Sequence, residues 1–282
     1  MILVAGGTGR LGSLVVARLA ARGLDVRVLT RDPARAEHLG DRATEIVEGD
    51  VRDRASVDAA MRGITTVVSA VQGFAGPGRV TPGSVDRDGN AILVDSATSA
   101  DADVVLMSVV GAAADHPMEL FRAKYAAEEH LRVSGARWTI VRATAYVELW
   151  ADIMKKPIVF GRGDNPINFV SVQDVAAVVE RAVTDVKLRG MTLEVGGPED
   201  LTFNELAALL REIRDQPTKT RHVPRGLLRA MAPLNRQPRA ALTMDTADMT
   251  FDANPARTAF ADLPTTDVAS ALRKAIEYEH HA

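Results

Sequence analysis

The chain has no cysteine. Disulfides, zinc–thiolate sites, iron–sulfur clusters and a cysteine nucleophile are thereby excluded. Its six histidines show no metal-ligand spacing, so no metal is expected, and His280 and His281 read as a solvated tail. An excess of either charge is also missing. Lys+Arg 34 against Asp+Glu 37 leaves −3, so no global field draws the protein to nucleic acid or to a membrane. No apolar run is long enough for a transmembrane helix. No basic leader with an apolar core precedes the first strand, and a cytoplasmic protein is expected. Internal repeats and low-complexity segments are absent. Aromatics are few, whereas alanine, valine and leucine are plentiful. The 282 residues suffice for one large α/β domain with a smaller appendage.

The most informative stretch is at the start. Ile2, Leu3 and Val4 form a short apolar strand that runs into Gly6-Gly7-Thr8-Gly9-Arg10-Leu11-Gly12. Helical apolar spacing follows over Ser13 to Arg22. Strand, glycine turn and helix together make an anion site. The glycines let the backbone approach a pyrophosphate, and the free N–H groups of the helix start attract its charge.

Strand and helix patterns then alternate. Strands are expected at 25–30, 44–47, 65–71, 104–108 and 138–142. Helices are expected at 33–39, 55–61, 85–99 and 118–133. Regular β-α alternation predicts a doubly wound parallel sheet, with ligands at the carboxyl ends of its strands. After about residue 145 the alternation loosens. Residues 1–150 therefore read as a dinucleotide-binding Rossmann domain. Residues 151–282 read as a smaller substrate lobe that partly contributes back to the sheet. The proline- and arginine-rich stretch 217–240 reads as a solvated, loop-rich surface without the interleaved aromatics of a nucleic-acid site.

The end of the second strand chooses the nicotinamide cofactor. An acid there would accept the ribose 2′-OH and repel a 2′-phosphate. The chain has Thr30-Arg31 instead, so NADP(H) is favoured, with Arg10 and Arg35 as possible helpers. The alternative is that Arg31 pairs only with Asp32 or solvent. Asp50 either accepts from the adenine amino group or caps the helix that begins near Ala55.

These motifs, with Gly49-Asp50-Val51, Phe121-Arg122-Ala123-Lys124-Tyr125, Thr139-Ile140-Val141-Arg142, Phe169-Val170-Ser171-Val172-Gln173-Asp174-Val175-Ala176 and Leu193-Glu194-Val195-Gly196-Gly197-Pro198, resemble the atypical, NmrA-like branch of the short-chain dehydrogenase/reductase superfamily over roughly residues 1–215. The resemblance implies an NADP-binding Rossmann fold. It implies cofactor contacts from Gly6, Thr8, Gly9, Arg10, Leu11, Gly12, Arg31, Asp50, Val51, Ala70, Val71, Gln72 and Lys124. Ser108 matches the position of the superfamily's catalytic serine, and Lys124 the lysine that holds the nicotinamide ribose. The superfamily's tyrosine, four residues before that lysine, is replaced by Leu120.

Three proton donors remain: Lys124 itself, Tyr146, and His116 in the loop after the fifth strand. Quinones, iminium dyes and activated enones need no obligatory donor. Phe74, Thr144, Tyr146, Val147 and Trp150 are expected to wall an apolar substrate pocket, with lobe-to-lobe packing the alternative for Tyr146 and Trp150.

The sequence thus points to an NADPH-dependent reductase of a small, largely apolar acceptor, with Lys124, Ser108 and Tyr146 as the catalytic set. The rival is a non-catalytic NADP(H) sensor or scaffold. A nucleotide-sugar epimerase or dehydratase is the third reading, with Arg162, Arg221 and Arg225 as its pyrophosphate clamp. Oligomeric state is open between monomer and homodimer.

Overall fold

The computed structural model describes residues 1–74, 80–216, 219–254 and 261–281, the last few without their side chains. The glycine- and proline-rich stretch 73–78 reads as a loop, and its residues 75–78 lie outside the described residues, as do the side chains of His280 and His281.

The chain forms two units, residues 1–142 with 175–194, and residues 143–174 with 195–282. In the first unit, strands β1 (Ile2–Ala5), β2 (Val26–Thr30), β3 (Glu45–Glu48), β4 (Thr66–Ser69), β5 (Asp103–Val109), β6 (Trp138–Ala143) and a late strand β10 (Met191–Val195) build one sheet. Its order is β10-β6-β5-β4-β1-β2-β3. Strand β1 pairs in parallel with β2 and β4, Val4 facing Val28 on one side and Val68 on the other. The order reverses at β1, so the turn after Ala5 opens at the switch point where such sheets bind ligands.

Helices α1 (Arg10–Ala21), α2 (Arg54–Ala60), α3 (Asn90–Ser99) and α4 (Glu119–Val133) accompany the strands. Leu3, Val67, Leu106 and Ile140 share one core with Val57, Leu93, Val94 and Leu131 of the helices. The β1 residues Leu3, Val4 and Ala5 are wholly buried, which explains why the strand reads as an unbroken apolar run rather than an alternation.

Packing draws the boundary between units differently from the sequence pattern, at Arg142 rather than after residue 150. Residues 175–194, the greater part of helix α6 (Val172–Thr184) and of β10, return to the first unit. The physical reason is edge coverage. Gly190 N–H donates to the Trp138 carbonyl at 2.6 Å, so β10 pairs with a strand that would otherwise end the sheet. Glu180 of α6 meanwhile pairs with Arg18 and Arg22 of α1.

The second unit holds a three-stranded sheet of β7 (Ala145–Tyr146), β9 (Pro166–Val170) and β11 (Glu199–Thr202), and a pair of β8 (Ile158–Phe160) with β12 (Arg221–Val223). Helices α5 (Val147–Ile153), α7 (Phe203–Ile213), α8 (Arg225–Met231), α9 (Arg236–Met244) and α10 (Val268–His281) complete it. The stretch 217–240, expected to be loop-rich, contains β12, α8 and most of α9. Among the described residues no helix is long and apolar enough to cross a membrane.

Candidate active site

The glycine turn has the geometry its residues suggested. Gly6 adopts φ +84°, and a Cβ there would stand 2.7 Å from the Ala70 carbonyl oxygen. A Cβ on Gly12 would meet the Gly6 carbonyl at 2.1 Å. Both glycines are thus required by close backbone approach, the first also by its left-handed conformation. Gly9 is the N-cap of α1, whose first turn carries no acidic residue and no side-chain cap. Nothing in that turn opposes an incoming pyrophosphate, and its N–H groups suit one. Leu11 is buried and anchors the helix, while Arg10 is exposed.

Beyond β2, Arg31 is exposed. Asp32 turns away from it to accept from Ala34 N at 3.1 Å, capping the short helical segment Pro33–Arg42. Asp50 neither caps α2 nor presents a free carboxylate. Asp53 is that cap, accepting from Ala55 N at 3.2 Å. Asp50 is gripped by the Arg52 guanidinium, the shortest contact being 2.5 Å. The bonded Arg52 guanidinium holds its carboxyl below the usual range, and the charge of Arg31 adds to this. Two arginines therefore act on Asp50, and sequence reading missed Arg52. Val51 is buried in the helix-side core and packs where a Cβ on Gly89 would meet it.

Lys124 lies on α4 and is 4 % exposed. Its ammonium donates to the Val71 carbonyl at 3.0 Å and stands 3.0 Å from Asp86 Oδ1. The Val71 bond uses one of its three donor directions, and the Asp86 contact is an ion pair. Asp86 is fully buried on a π-helical turn, Pro82–Gly89, that leads into α3. Its Oδ2 accepts from Gly73 N at 2.7 Å. Its Oδ1 faces Lys124 without a hydrogen-bond alignment to any described group. The next turn continues the network, with Asn90 Nδ2 donating to the Asp86 carbonyl and Ser69 Oγ to Asn90 Oδ1. Asp86 was not foreseen, and its signal was available. It stands four residues before Asn90, a spacing that puts both on one helical face. In the segment after β4, Gln72 is exposed and Phe74 half-buried.

Ser108 is placed by β5 beside α4, but its hydroxyl donates to Glu128 rather than standing free. Glu128 is wholly buried and takes Arg142 Nε at 2.9 Å and Nη2 at 2.6 Å. Arg142 also reaches Glu194, joining β6 to β10. Glu128 raises the Arg142 guanidinium's affinity for its proton above the ordinary value. Ser108 therefore belongs to a buried ion network that ties helix to sheet. His116 is stacked on Phe121, ring centroids 4.0 Å apart, and burial lowers its proton affinity. Burial thus disfavours the protonated form that the acid role considered for it needs.

Within the second unit, Tyr146 ends β7 and starts α5. Burial pushes its phenol well above the ordinary 10.0, and the Glu148 carboxylate adds to the shift. Val147 is wholly buried, so it serves packing rather than a pocket wall. Trp150 lies against Phe203 with centroids 4.5 Å apart. Thr144 Oγ1 donates to Asn168 Oδ1 at 2.9 Å, leaving its hydroxyl hydrogen engaged inside this unit. The Phe169-to-Ala176 motif is structural: Glu148 accepts from Ser171 Oγ and Val172 N, and Asp174 holds Thr266. In the glycine pair that follows, a Cβ on Gly197 would strike the Phe169 carbonyl at 1.9 Å. Asp245, 2 % exposed, accepts from Arg162 N and Gly163 N and faces the Arg225 Nε at 3.1 Å. An internal carboxylate thus already neutralises two members of the imagined pyrophosphate clamp.

A parallel sheet that reverses order over a glycine cradle, with a buried lysine beside it, defines a dinucleotide-binding protein of the Rossmann class. The family described as NAD(P)H-binding matches residues 6–186, and the chain belongs to that family. It is 30% identical over 225 residues to an NAD(P)H azoreductase of Xenophilus azovorans, covering 78% of this chain and 76% of that one. It is 25% identical over 239 residues to photosystem II assembly factor Ycf39 of Trieres chinensis, covering 82% and 74%. The fold matches the NADPH-dependent quinone oxidoreductase of Escherichia coli, complexed with NADPH, at TM-score 0.78 and 20% identity, over 98% of this chain and 100% of that one.

Proposed function

We propose that the protein is an NADPH-dependent reductase that passes hydride to a small, planar, largely apolar acceptor of the quinone or dye type. The observation that carries this reading is the pair of Lys124, buried and held by Asp86, and Leu120, apolar and buried where a phenol would be needed for alkoxide chemistry. The likeness to a reductase of azo compounds supports it.

Bound NADPH supplies the hydride from its nicotinamide ring. The chain's own residues bind and orient. The α1 N-terminus receives the pyrophosphate, Arg31 and Arg52 border the 2′-phosphate, and a further Lys124 donor direction meets a ribose hydroxyl. The unaligned Asp86 Oδ1 can accept from that same hydroxyl. No side chain needs to give a proton during hydride transfer to an acceptor whose product is a stabilised anion; water supplies it afterwards. Catalysis is then mostly orientation. Burial raises the Tyr146 phenol above its ordinary value, which disfavours the phenolate that a base would need. Asp245 in the arginine cluster argues against a nucleotide-sugar substrate. A cytoplasmic site of action, with its supply of reduced nucleotide, belongs to the same reading.

The test is NADPH oxidation by the purified protein with quinones, enones, cationic and azo dyes and simple ketones, with NADH in parallel. Turnover with quinones or dyes but not with simple ketones is expected. Tight NADPH binding without oxidation by any acceptor would transfer the reading to a sensor or scaffold.

A further inference from the structure

Where the chain leaves β4 it is pinned at Gly73. A Cβ on Gly73 would stand 2.3 Å from the Thr81 carbonyl oxygen and 2.9 Å from Val85 Cβ, so close approach requires glycine there. From Thr81 the chain enters the π-helical turn Pro82–Gly89 through a reciprocal cap. Thr81 Oγ1 accepts from Ser84 N, and Ser84 Oγ accepts from Thr81 N, each at 3.0 Å. Asp86 follows on that turn, wholly buried. Its two oxygens serve different elements. Oδ2 takes the Gly73 N–H at 2.7 Å, and Oδ1 faces the Lys124 ammonium at 3.0 Å. The same ammonium donates to the Val71 carbonyl at 3.0 Å. Val71, Gly73, Asp86 and Lys124 thus close a ring. The ring borders the glycine turn, because a Cβ on Gly6 would lie 3.2 Å from Val71 N.

We infer that Asp86 is a positioning residue for hydride transfer: it fixes the backbone from Val71 to Phe74 against Lys124, so that the lysine and the Phe74 side chain keep a set separation. This rests on the reductase reading, in which Lys124 orients the ribose, and on Phe74 as a wall of the acceptor pocket, as its sequence position suggests. Phe74 directly follows Gly73 and is half-buried, so the Asp86 bond to Gly73 N sets where its side chain starts. A purely structural task would not need the charge. Replacing a buried ion pair by well-packed apolar side chains of similar volume is often neutral or stabilising. What the carboxylate adds is direction, with one oxygen for each partner. Hydride transfer is sensitive to such direction, since a misplacement of about 1 Å can cost on the order of a hundredfold in rate.

The experiment is a single turnover. Full-length protein is preloaded with one equivalent of NADPH, at a concentration above each variant's Kd, and mixed with a saturating amount of the best quinone or dye acceptor. The loss of nicotinamide absorbance then reads hydride transfer apart from nucleotide affinity. Asp86→Asn keeps an oxygen for Gly73 N but loses the charge facing Lys124, and its rate should fall on the order of tenfold. Gly73→Ala alters no charge. Its methyl group forces the backbone away from Thr81 and off Asp86, and its rate should fall by a similar factor. Because both changes act through one set of contacts, the double variant should lose about as much as either alone. Ser84→Ala opens the cap of the same turn and should leave the rate unchanged. A parental rate in Asp86→Asn overturns the proposal. So does a parental rate in Gly73→Ala, which decides the matter even where Asp86→Asn is too unstable to purify. A double variant whose loss is the product of the two single losses also overturns it. Ser84→Ala as slow as Asp86→Asn would do the same, by making the rigidity of the turn the cause. A parent that binds NADPH and oxidises it with no acceptor rejects the reductase reading itself, and the proposal falls with it.

Discussion

At the scale of single residues, the Lys124–Asp86 pair decides most. The two side chains are 5% and 0% exposed and 3.0 Å apart. Removing one partner of such a pair leaves a buried charge uncompensated, at about 3–5 kcal/mol. Asp86→Asn should therefore lower stability in urea by about that amount. Lys124→Met combined with Asp86→Asn should recover part of the loss, because both charges are gone. The functional effect separates from the structural one. Lys124→Met should cost roughly a hundredfold in kcat/KM, with weaker NADPH binding, through lost orientation. Arg31→Asp should raise KM for NADPH by about tenfold to a hundredfold and leave KM for NADH nearly unchanged. Parallel initial-rate measurements with the two nucleotides check this. Tyr146 allows a statement about pH. Its phenol ionises above the ordinary 10.0, so it stays neutral throughout the range where the enzyme can be assayed. The pH profile should show no basic limb that Tyr146→Phe removes. A limb near pH 9 that vanishes in this variant would show that the phenol is not so protected.

At the scale of elements, the β1–α1 turn and the ion network behind α4 play different roles. Gly12→Ala places a methyl group against the Gly6 carbonyl, and the turn must open to admit it. Overpacking of this kind costs about 1–3 kcal/mol, and here it also displaces the N–H groups of the proposed pyrophosphate contact. NADPH affinity, read by fluorescence titration, should fall more steeply than stability. Glu128 joins α4 to β5 and β6 through Ser108 and Arg142. Glu128→Ala should destabilise the first unit by about 3–5 kcal/mol because Arg142 loses its main partner. Kinetic constants of the protein that remains folded should be nearly unchanged. Such a result would assign Ser108 to the scaffold rather than to the reacting atoms, contrary to the role its sequence position implies.

At the scale of the whole molecule, cofactor binding and folding are linked. NADPH at a hundred times its Kd should stabilise the binding unit by about 2.7 kcal/mol, visible as a rise in Tm that NADH at equal concentration does not match. Acid should have the opposite effect. Glu180, which joins α6 to α1, has its carboxyl lowered below the ordinary 4.5: burial opposes ionisation, but the Arg22 and Arg18 hydrogen bonds prevail. A depressed folded-state value contributes stability that is present above the unfolded value and lost as pH falls through the folded one. Stability should thus decline below about pH 4.5, and less so once Arg18 and Arg22 are both Gln.

Local sequence by itself determined the β-α alternation, the glycine turn and the family. Each of these rests on interactions between near neighbours: the period of a buried strand, the conformational freedom of Gly6, the cap made by Asp32. It also determined which groups were available, an arginine after β2 and no phenol before Lys124. Tertiary structure decided what those groups touch. Asp86 meets Lys124 because a π-helical turn and α4 approach from positions 38 apart in sequence numbering. Ser108 is drawn to Glu128, Asp50 to Arg52, and Trp150 to Phe203, by neighbours that no motif spacing records. The return of 175–194 to the first sheet has the same origin. An uncovered strand edge and two arginines on α1 recruit a segment more than 30 residues beyond β6, because hydrogen-bond and charge satisfaction depend on position in space and not on order along the chain.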